Sequence, residues 1–337
     1  MNTPFFTRLC GLLLAATTVG CGESASDPRP QETVGADTAS QPIQVTCTTN
    51  IIKDLVQQIG GEHVVVKAIM DGPGVDPHTY TPSPKDTNAL TAADLVVYSG
   101  LHLEGQLEEA LESLGHRGVP VICVTEGLQQ ESPGRLIHAA DGPADPHVWF
   151  DPQLWTTCGQ WLAAELSRLD EDNSADYAAN AEAFAMSMKD TLTTCTARLQ
   201  NIPQESRVLV TAHDAFAYFA RAFDFRVEAV QGISTESEPG LRRINELIEI
   251  LVQKNIAAVF TEQSVSDRNI TALVAGCDAK GHKLKIGARL FSDTAGAEGT
   301  PEATLSGALL HNVTRIAEAL HGGVATDPSG EVQGESK

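Results

Sequence analysis

The chain predicts an α/β fold of two doubly wound parallel-sheet lobes joined by one long rigid helix, with a cleft between them. Three observations carry this. Short apolar strands alternate with amphipathic helices in two separate series, which implies parallel sheets covered by helices on both faces. Between the two series lies an Ala-rich helical run, 174–199, free of Gly and Pro. Its length suits a rod connecting two lobes, and the plainer alternative is a long surface helix. Finally, Asp-Pro-His occurs twice, at Asp76-Pro77-His78 and Asp145-Pro146-His147, each time in a loop of the first series.

In order, 43–48 reads as a strand, and Asn50 as the cap of a helix with Ile51, Ile52, Leu55, Val56 and Ile59 on one face, closed by Gly60-Gly61. A strand at 63–70 leads into the His78 loop. Pro84 opens a helix to about Ala92, and 94–99 is a strand. A helix over 104–114 and a strand over 119–125 follow, and the next loop ends at His147. There Asp151 suits a helix cap and Pro152 the first helical position, so His147 is held from both sides. This helix runs to about 169. The second series has strands at 207–211, 225–230, 256–261 and 284–286. Its helices lie at 215–222 and 239–254, at 267–279 with Asp267 as cap, and from Thr300-Pro301 to near Gly322. The domains expected are an N-terminal α/β lobe at 43–170, a linking helix at 171–202, a C-terminal α/β lobe at 203–322 and a polar tail at 323–337.

Composition narrows the function classes. The 337 residues, 42% hydrophobic and 20% charged, suit a soluble globular protein of two domains. A net charge of −21 argues against nucleic acid as a partner, because phosphate binding needs clustered Lys and Arg. At the N-terminus, Arg8 precedes an apolar run over 9–19 that is too short to span a membrane and reads as a signal peptide, 1–20. Small residues before Cys21 match a bacterial lipoprotein cleavage box, with Thr18 where Leu is usual. Cys21 is therefore the expected lipidation site, and ordinary secretion with cleavage nearby is the alternative. Residues 21–42 form a polar tether. Beyond Cys21, five cysteines are scattered without a C-x-x-C pair, which disfavours a cysteine zinc site. Cys47 and Cys123 read as small buried hydrophobes, and a disulfide among the others stays open.

Four candidate ligands fall just after strands: His78, His147, His213 and Asp293. Loops at the carboxyl ends of parallel strands face one crevice, so two residues from each lobe can grip one metal ion in the interlobe cleft. A lone loop His is more often a surface residue; the shared Asp-Pro-His setting lifts His78 and His147 above that. His213 could otherwise be a helix-start His, and Asp293 a turn residue or cap. His102 is the best competitor, whereas His63, His116, His138, His282, His311 and His321 read as surface residues.

The His78 loop, Asp145-Pro146-His147-Val148-Trp149-Phe150-Asp151-Pro152, Thr211-Ala212-His213-Asp214-Ala215-Phe216-Ala217-Tyr218, Phe260-Thr261-Glu262-Gln263-Ser264 and Leu290-Phe291-Ser292-Asp293 occur in this order. Together they resemble the metal-binding lipoproteins of bacterial ABC importers for zinc and manganese, over nearly all of 42–322. The resemblance implies two lobes bridged by a long helix, with His78, His147, His213 and Asp293 as ligands. Glu262 matches a family-typical carboxylate near the cleft, expected to support a ligand rather than bind the ion. It also implies an extracytoplasmic, lipid-anchored or periplasmic monomer that delivers its ion to a membrane permease. Zinc is expected, because imidazole suits it and manganese-type members more often carry Glu at the third position. Manganese or iron is the alternative. Many zinc members have a His-rich loop before the second ligand, and residues 126–146 hold only His138. A metal-dependent hydrolase is the rival class. No H-E-x-x-H, nucleophile elbow or phosphate loop supports it, so no enzymatic activity is expected. An adhesin would share the fold and differ only in partners.

Overall fold

The computed structural model describes residues 41–138 and 142–320. The predicted signal peptide, Cys21, most of the tether, His321 and the polar tail lie outside these residues.

The first sheet has four parallel strands in the order β2-β1-β3-β4: β1 (Ile43–Thr49), β2 (Val64–Met70), β3 (Leu95–Tyr98) and β4 (Val121–Cys123). Helix α1 (Asn50–Gly60) buries Ile51, Ile52, Leu55, Val56 and Ile59 on one face of the sheet. On the other face, α2 (Pro84–Thr91) and α3 (Glu108–His116) bring Leu90, Leu111 and Leu114 onto Met70 and Val96. The chain leaves β1 towards β2 on one side and β3 lies on the other, so the strand order reverses between β1 and β3. Ligand-binding crevices open at such points. Here the gap is closed by the buried carboxylate of Glu104, which accepts from Thr48 Oγ1 at 2.7 Å, Ser99 N at 2.7 Å and Gly100 N at 3.1 Å. Burial pushes its pKa up, against the pull of those donors. Gly100 has φ +88°, and a Cβ on it would meet Cys123 Sγ at 2.3 Å, so only glycine fits.

The second lobe repeats the arrangement with β5 (Val208–Thr211), β6 (Arg226–Ala229), β7 (Ala258–Glu262) and β8 (Lys285–Leu290). Its strands hydrogen-bond as two parallel pairs, β5–β6 and β7–β8, with β5 and β7 side by side. Helices α8 (Leu241–Gln253) and α9 (Arg268–Ala279) cover one face through Leu247, Leu251, Ile270 and Leu273. On the other, α7 (Ala217–Phe223) and α10 (Leu305–Leu320) join a core continuous with that of the first lobe.

Helix α4 (Glu126–Glu131) and helix α5 (Pro152–Leu169) precede the rod, α6 (Ser174–Leu199), whose 26 residues span about 39 Å. Its buried stripe of Tyr177, Ala181, Phe184, Met188, Thr191, Cys195 and Leu199 recurs every three or four residues, one helical face. It packs against α5 and α1 and, further along, against α10, where Thr191 bonds Ser306 at 3.1 Å.

Several local expectations are corrected. Thr49, not Asn50, caps α1, accepting from Ile52 N at 3.3 Å. Asn50 instead bonds both polar groups of Ala295, at 2.9 and 3.0 Å. Glu104 is not helical, and α3 begins at Glu108 after a 3-10 turn. A 3-10 turn at Pro301–Ala303 precedes α10, β8 is longer than expected, and α4 was not foreseen. Asp267 sits at the N-cap position without a side-chain bond there, its carboxylate meeting Arg289 instead. The Asp151 cap is present, accepting from Gln153 N at 3.0 Å, with Pro152 behind it. Cys47, Cys123, Cys158, Cys195 and Cys277 are all free thiols.

Candidate metal centre

In both Asp-Pro-His loops the Asp carboxylate folds back onto the His backbone. Asp76 Oδ1 accepts from His78 N at 3.0 Å and Asp145 Oδ1 from His147 N at 2.9 Å. This local turn, with proline fixing the residue between, sets where each imidazole starts. His213 leaves the end of β5, Asp293 the end of β8 and His78 the loop after β2, whereas His147 follows β4 only after a helix, Glu126–Glu131, and a 3-10 turn. His78, His147, His213 and Asp293 are each at most 2% exposed. One donor atom from each lies within 4.8 Å of every other.

The donors face one another. His78 Nε2 is 3.3 Å from His147 Nε2, and Asp293 Oδ1 is 3.2 Å from His147 Nε2 and 3.3 Å from His213 Nε2. Neither contact of Asp293 Oδ1 has hydrogen-bond alignment, and both His213 Nε2 and Asp293 Oδ1 are buried without a hydrogen-bond partner. Buried polar atoms are rarely left so, and a cation between the four would satisfy them.

Behind His147, His213 and Asp293, the remaining ring nitrogen or oxygen is held by a different partner in each case. Asp145 Oδ1 accepts from His147 Nδ1 at 2.7 Å. Glu262, at the end of β7, spans the β5–β7 gap as Glu104 spans β1–β3. Its Oε2 accepts from His213 Nδ1 at 2.6 Å and its Oε1 from His213 N at 2.9 Å. Each carboxylate holds the proton on Nδ1 and turns Nε2 inward, where it becomes the ligating lone pair once its own proton leaves. Asp293 Oδ2 accepts from Ser264 Oγ at 2.7 Å and Ser292 Oγ at 3.3 Å, leaving Oδ1 as the inward oxygen.

Electrostatics follow the same layout. Burial pulls the His147 pKa down, but Asp145 and Asp293 outweigh it and raise it to about 9. His213 is raised well above its ordinary value by Glu262 and Asp293, again against burial. No carboxylate bonds the His78 ring, and burial, outweighing the pull of Asp293, takes it down to about 3. Burial would raise Asp293, yet His213 and His147 hold it well below the usual carboxylate range.

The structure thus brings together all four predicted residues and puts Glu262 directly behind His213. His102 is excluded: its exposed side chain bonds Glu108 at 2.8 Å. His63, His282 and His311 are less exposed than expected, bonding Asp176, the Ile256 carbonyl and the Arg289 carbonyl respectively. Sequence reasoning missed Asp145 as a ring partner, Ser264, and Tyr218, whose hydroxyl donates to Asp145 O at 3.0 Å. Asp145 alone left a signal, standing two residues before its histidine.

The chain matches the family described as zinc-uptake complex component A periplasmic, ZnuA, over residues 45–319. It is 41% identical over 302 residues to the manganese-binding lipoprotein MntA of Bacillus subtilis (strain 168), covering 89% of this chain and 94% of that one. It is 29% identical over 324 residues to the iron-binding protein YfeA of Yersinia pestis, covering 95% and 98%. Among solved structures, the periplasmic zinc binding protein TroA from Treponema pallidum matches with a TM-score of 0.79 at 36% identity, covering 83% of this chain and 99% of that one. The two-lobe architecture and the family match extend over nearly the whole described chain, which belongs to the ZnuA family of metal-binding solute-binding proteins.

Proposed function

We propose that this protein captures zinc outside the cytoplasm, holds it on His78, His147, His213 and Asp293, and passes it to the permease of an ABC importer. The carrying observation is the pair of buried, unpartnered atoms, His213 Nε2 and Asp293 Oδ1, converging with the other two imidazoles. Four donors ~2.0–2.1 Å from a central zinc would be ~3.3–3.4 Å apart in a tetrahedron. Three of the six donor pairs stand at 3.2–3.3 Å. Three nitrogens and one oxygen suit zinc, and Asp293 Oδ2 is already engaged by two serines, which favours binding through one oxygen.

Four protein ligands leave no position for a reacting water, so the site suits carriage rather than hydrolysis. The protein works as a monomer held to the membrane through lipid on Cys21. Mass spectrometry finding an unmodified Cys21 would remove the anchor from this account.

Manganese is the second reading, favoured by the name of the relative at 41% identity. Metal analysis of protein purified without chelator, from cells grown in balanced trace metals, separates the two. Zinc near one equivalent supports the first reading, and manganese in its place overturns it. His147→Ala tests the site itself, and unchanged affinity in that variant would remove the ligand assignment.

A further inference from the structure

The two lobes meet along two very different lines. On one side the contact is dense. Asn50 grips both polar groups of Ala295, and Trp149 Nε1 donates to Ser292 O at 3.0 Å. Phe150 stacks on Phe216 with ring centroids 4.6 Å apart, and Arg221 pairs with Asp151 at 3.1 Å. These contacts bracket His147 and Asp293. His78 stands on a separate loop, to which, among the described residues, one side-chain hydrogen bond reaches from the second lobe.

There, Thr235 Oγ1 donates to Asp76 Oδ2 at 2.6 Å, while Asp76 Oδ1 holds the backbone N–H of His78. The other approaches to this loop and its neighbour, among the described residues, are close packing without a hydrogen bond. Gln263 O and Glu236 Oε1 lie 3.4 and 3.5 Å from where a Cβ would stand on Gly74 and Gly105. The loop carrying Thr235 is itself tied to the His213 turn, through Gln231 N to Ala212 O at 2.9 Å and Asp214 N to Gly232 O at 3.2 Å. One carboxylate therefore links a hydroxyl of the second lobe to the backbone of a candidate ligand in the first.

We propose that Thr235 is a positioning residue for metal retention: its hydroxyl, through Asp76, holds the His78 loop across the cleft and slows release of the bound ion. The inference rests on the four-residue site proposed above. The bond joins a hydroxyl to a charged group, and losing such a bond lowers the barrier to local opening while leaving all four donors in place.

The test is transfer of zinc from the loaded mature protein to excess chromophoric chelator, followed by stopped flow. Thr235→Val keeps the shape and removes the hydroxyl; Thr235→Ser keeps the hydroxyl. Release from Thr235→Val is expected to be ~10-fold or more faster, as for loss of a hydrogen bond to a charged group. Thr235→Ser should match the wild type, and any Tm loss of Thr235→Val should be smaller in chelator than with zinc bound. Unchanged release from Thr235→Val, release from Thr235→Ser as fast as from Thr235→Val, or a Tm loss in chelator as large as with zinc would each overturn the proposal. A wild type that takes up no ion would overturn the site reading as well. A wild type that binds beside an unaffected Thr235→Val overturns this inference alone.

Discussion

Replacing Glu262 by Gln changes one atom, and the geometry makes its effect asymmetric with that of Asp145→Asn. Glu262 uses both oxygens on His213, Oε2 for Nδ1 at 2.6 Å and Oε1 for the backbone N at 2.9 Å. An amide offers one oxygen and one NH2. Whichever way it turns, NH2 faces a donor. If it faces the backbone, a buried N–H loses its partner, at about 1–3 kcal/mol. If it faces the ring, the proton moves to Nε2, where it blocks the ion. Loss of such a supporting carboxylate typically costs about 10–100-fold in affinity, or about 1.4–2.7 kcal/mol. Asp145 differs, because a single oxygen, Oδ1, accepts from both His147 N and Nδ1, while Oδ2 has no partner. Asn can keep its carbonyl at Oδ1, so the loss should be confined to the charge and fall at the low end of that range, about 10-fold. Zinc competition against a chromophoric chelator measures both variants. Equal affinities for Glu262→Gln and wild type, or a larger loss for Asp145→Asn than for Glu262→Gln, would refute this account of how the rings are held.

Four further outcomes are expected. Zinc capture near pH 7 should release protons, because the ion needs a neutral His147 Nε2 and that ring, at about 9, is protonated without it. Calorimetry in buffers of different ionisation enthalpy reads this release, and apparent affinity should climb with pH up to about 9. The sign reverses for the metal-free fold: the raised His147 pKa contributes stability below about 6.5 that is lost as pH rises through about 9, which chelator-treated thermal melts would follow. Asn50→Ala should cost about 1–3 kcal/mol by stripping both buried partners from Ala295, lowering Tm and also zinc affinity, because Ala295 lies two residues from Asp293. His213→Glu trades a nitrogen for an oxygen donor, so the manganese-to-zinc affinity ratio in paired titrations should rise.

What the sequence revealed was local. Asp-Pro-His is a turn in which the Asp carboxylate reaches its own chain two residues on, so it announces a fixed histidine without any tertiary contact. The α6 stripe and the strand–helix alternation are likewise periodicities of neighbouring residues. Partners far apart in the chain left no such mark. Asn50 and Ala295 are 245 residues apart, and Asp76 and Thr235 are 159 apart. Asn50 looked like a cap because caps and long-range amide clamps use the same residue. Glu104 looked like a helix start for the same reason, since nothing around it records that its carboxylate joins two strand ends. Helix α4, six residues reading Glu-Gly-Leu-Gln-Gln-Glu, is too short to show a period.

A site this buried needs support that is unequal around the ion. Asp293, Asp145 and Glu262 surround three imidazoles at 0–2% exposure, so a divalent cation offsets charge that the fold otherwise buries. That favours tight capture and also opposes release, because separating the ion from these carboxylates is costly in a medium of low dielectric. Delivery therefore needs one side of the shell to yield at lower cost than the rest. His147 and His213 each have a carboxylate on the ring, and Asp293 has Ser264 and Ser292. For His78 the supporting bond runs to the backbone rather than to the ring. The same side carries the sparse contact between the lobes, so the least supported donor and the weakest line of closure coincide.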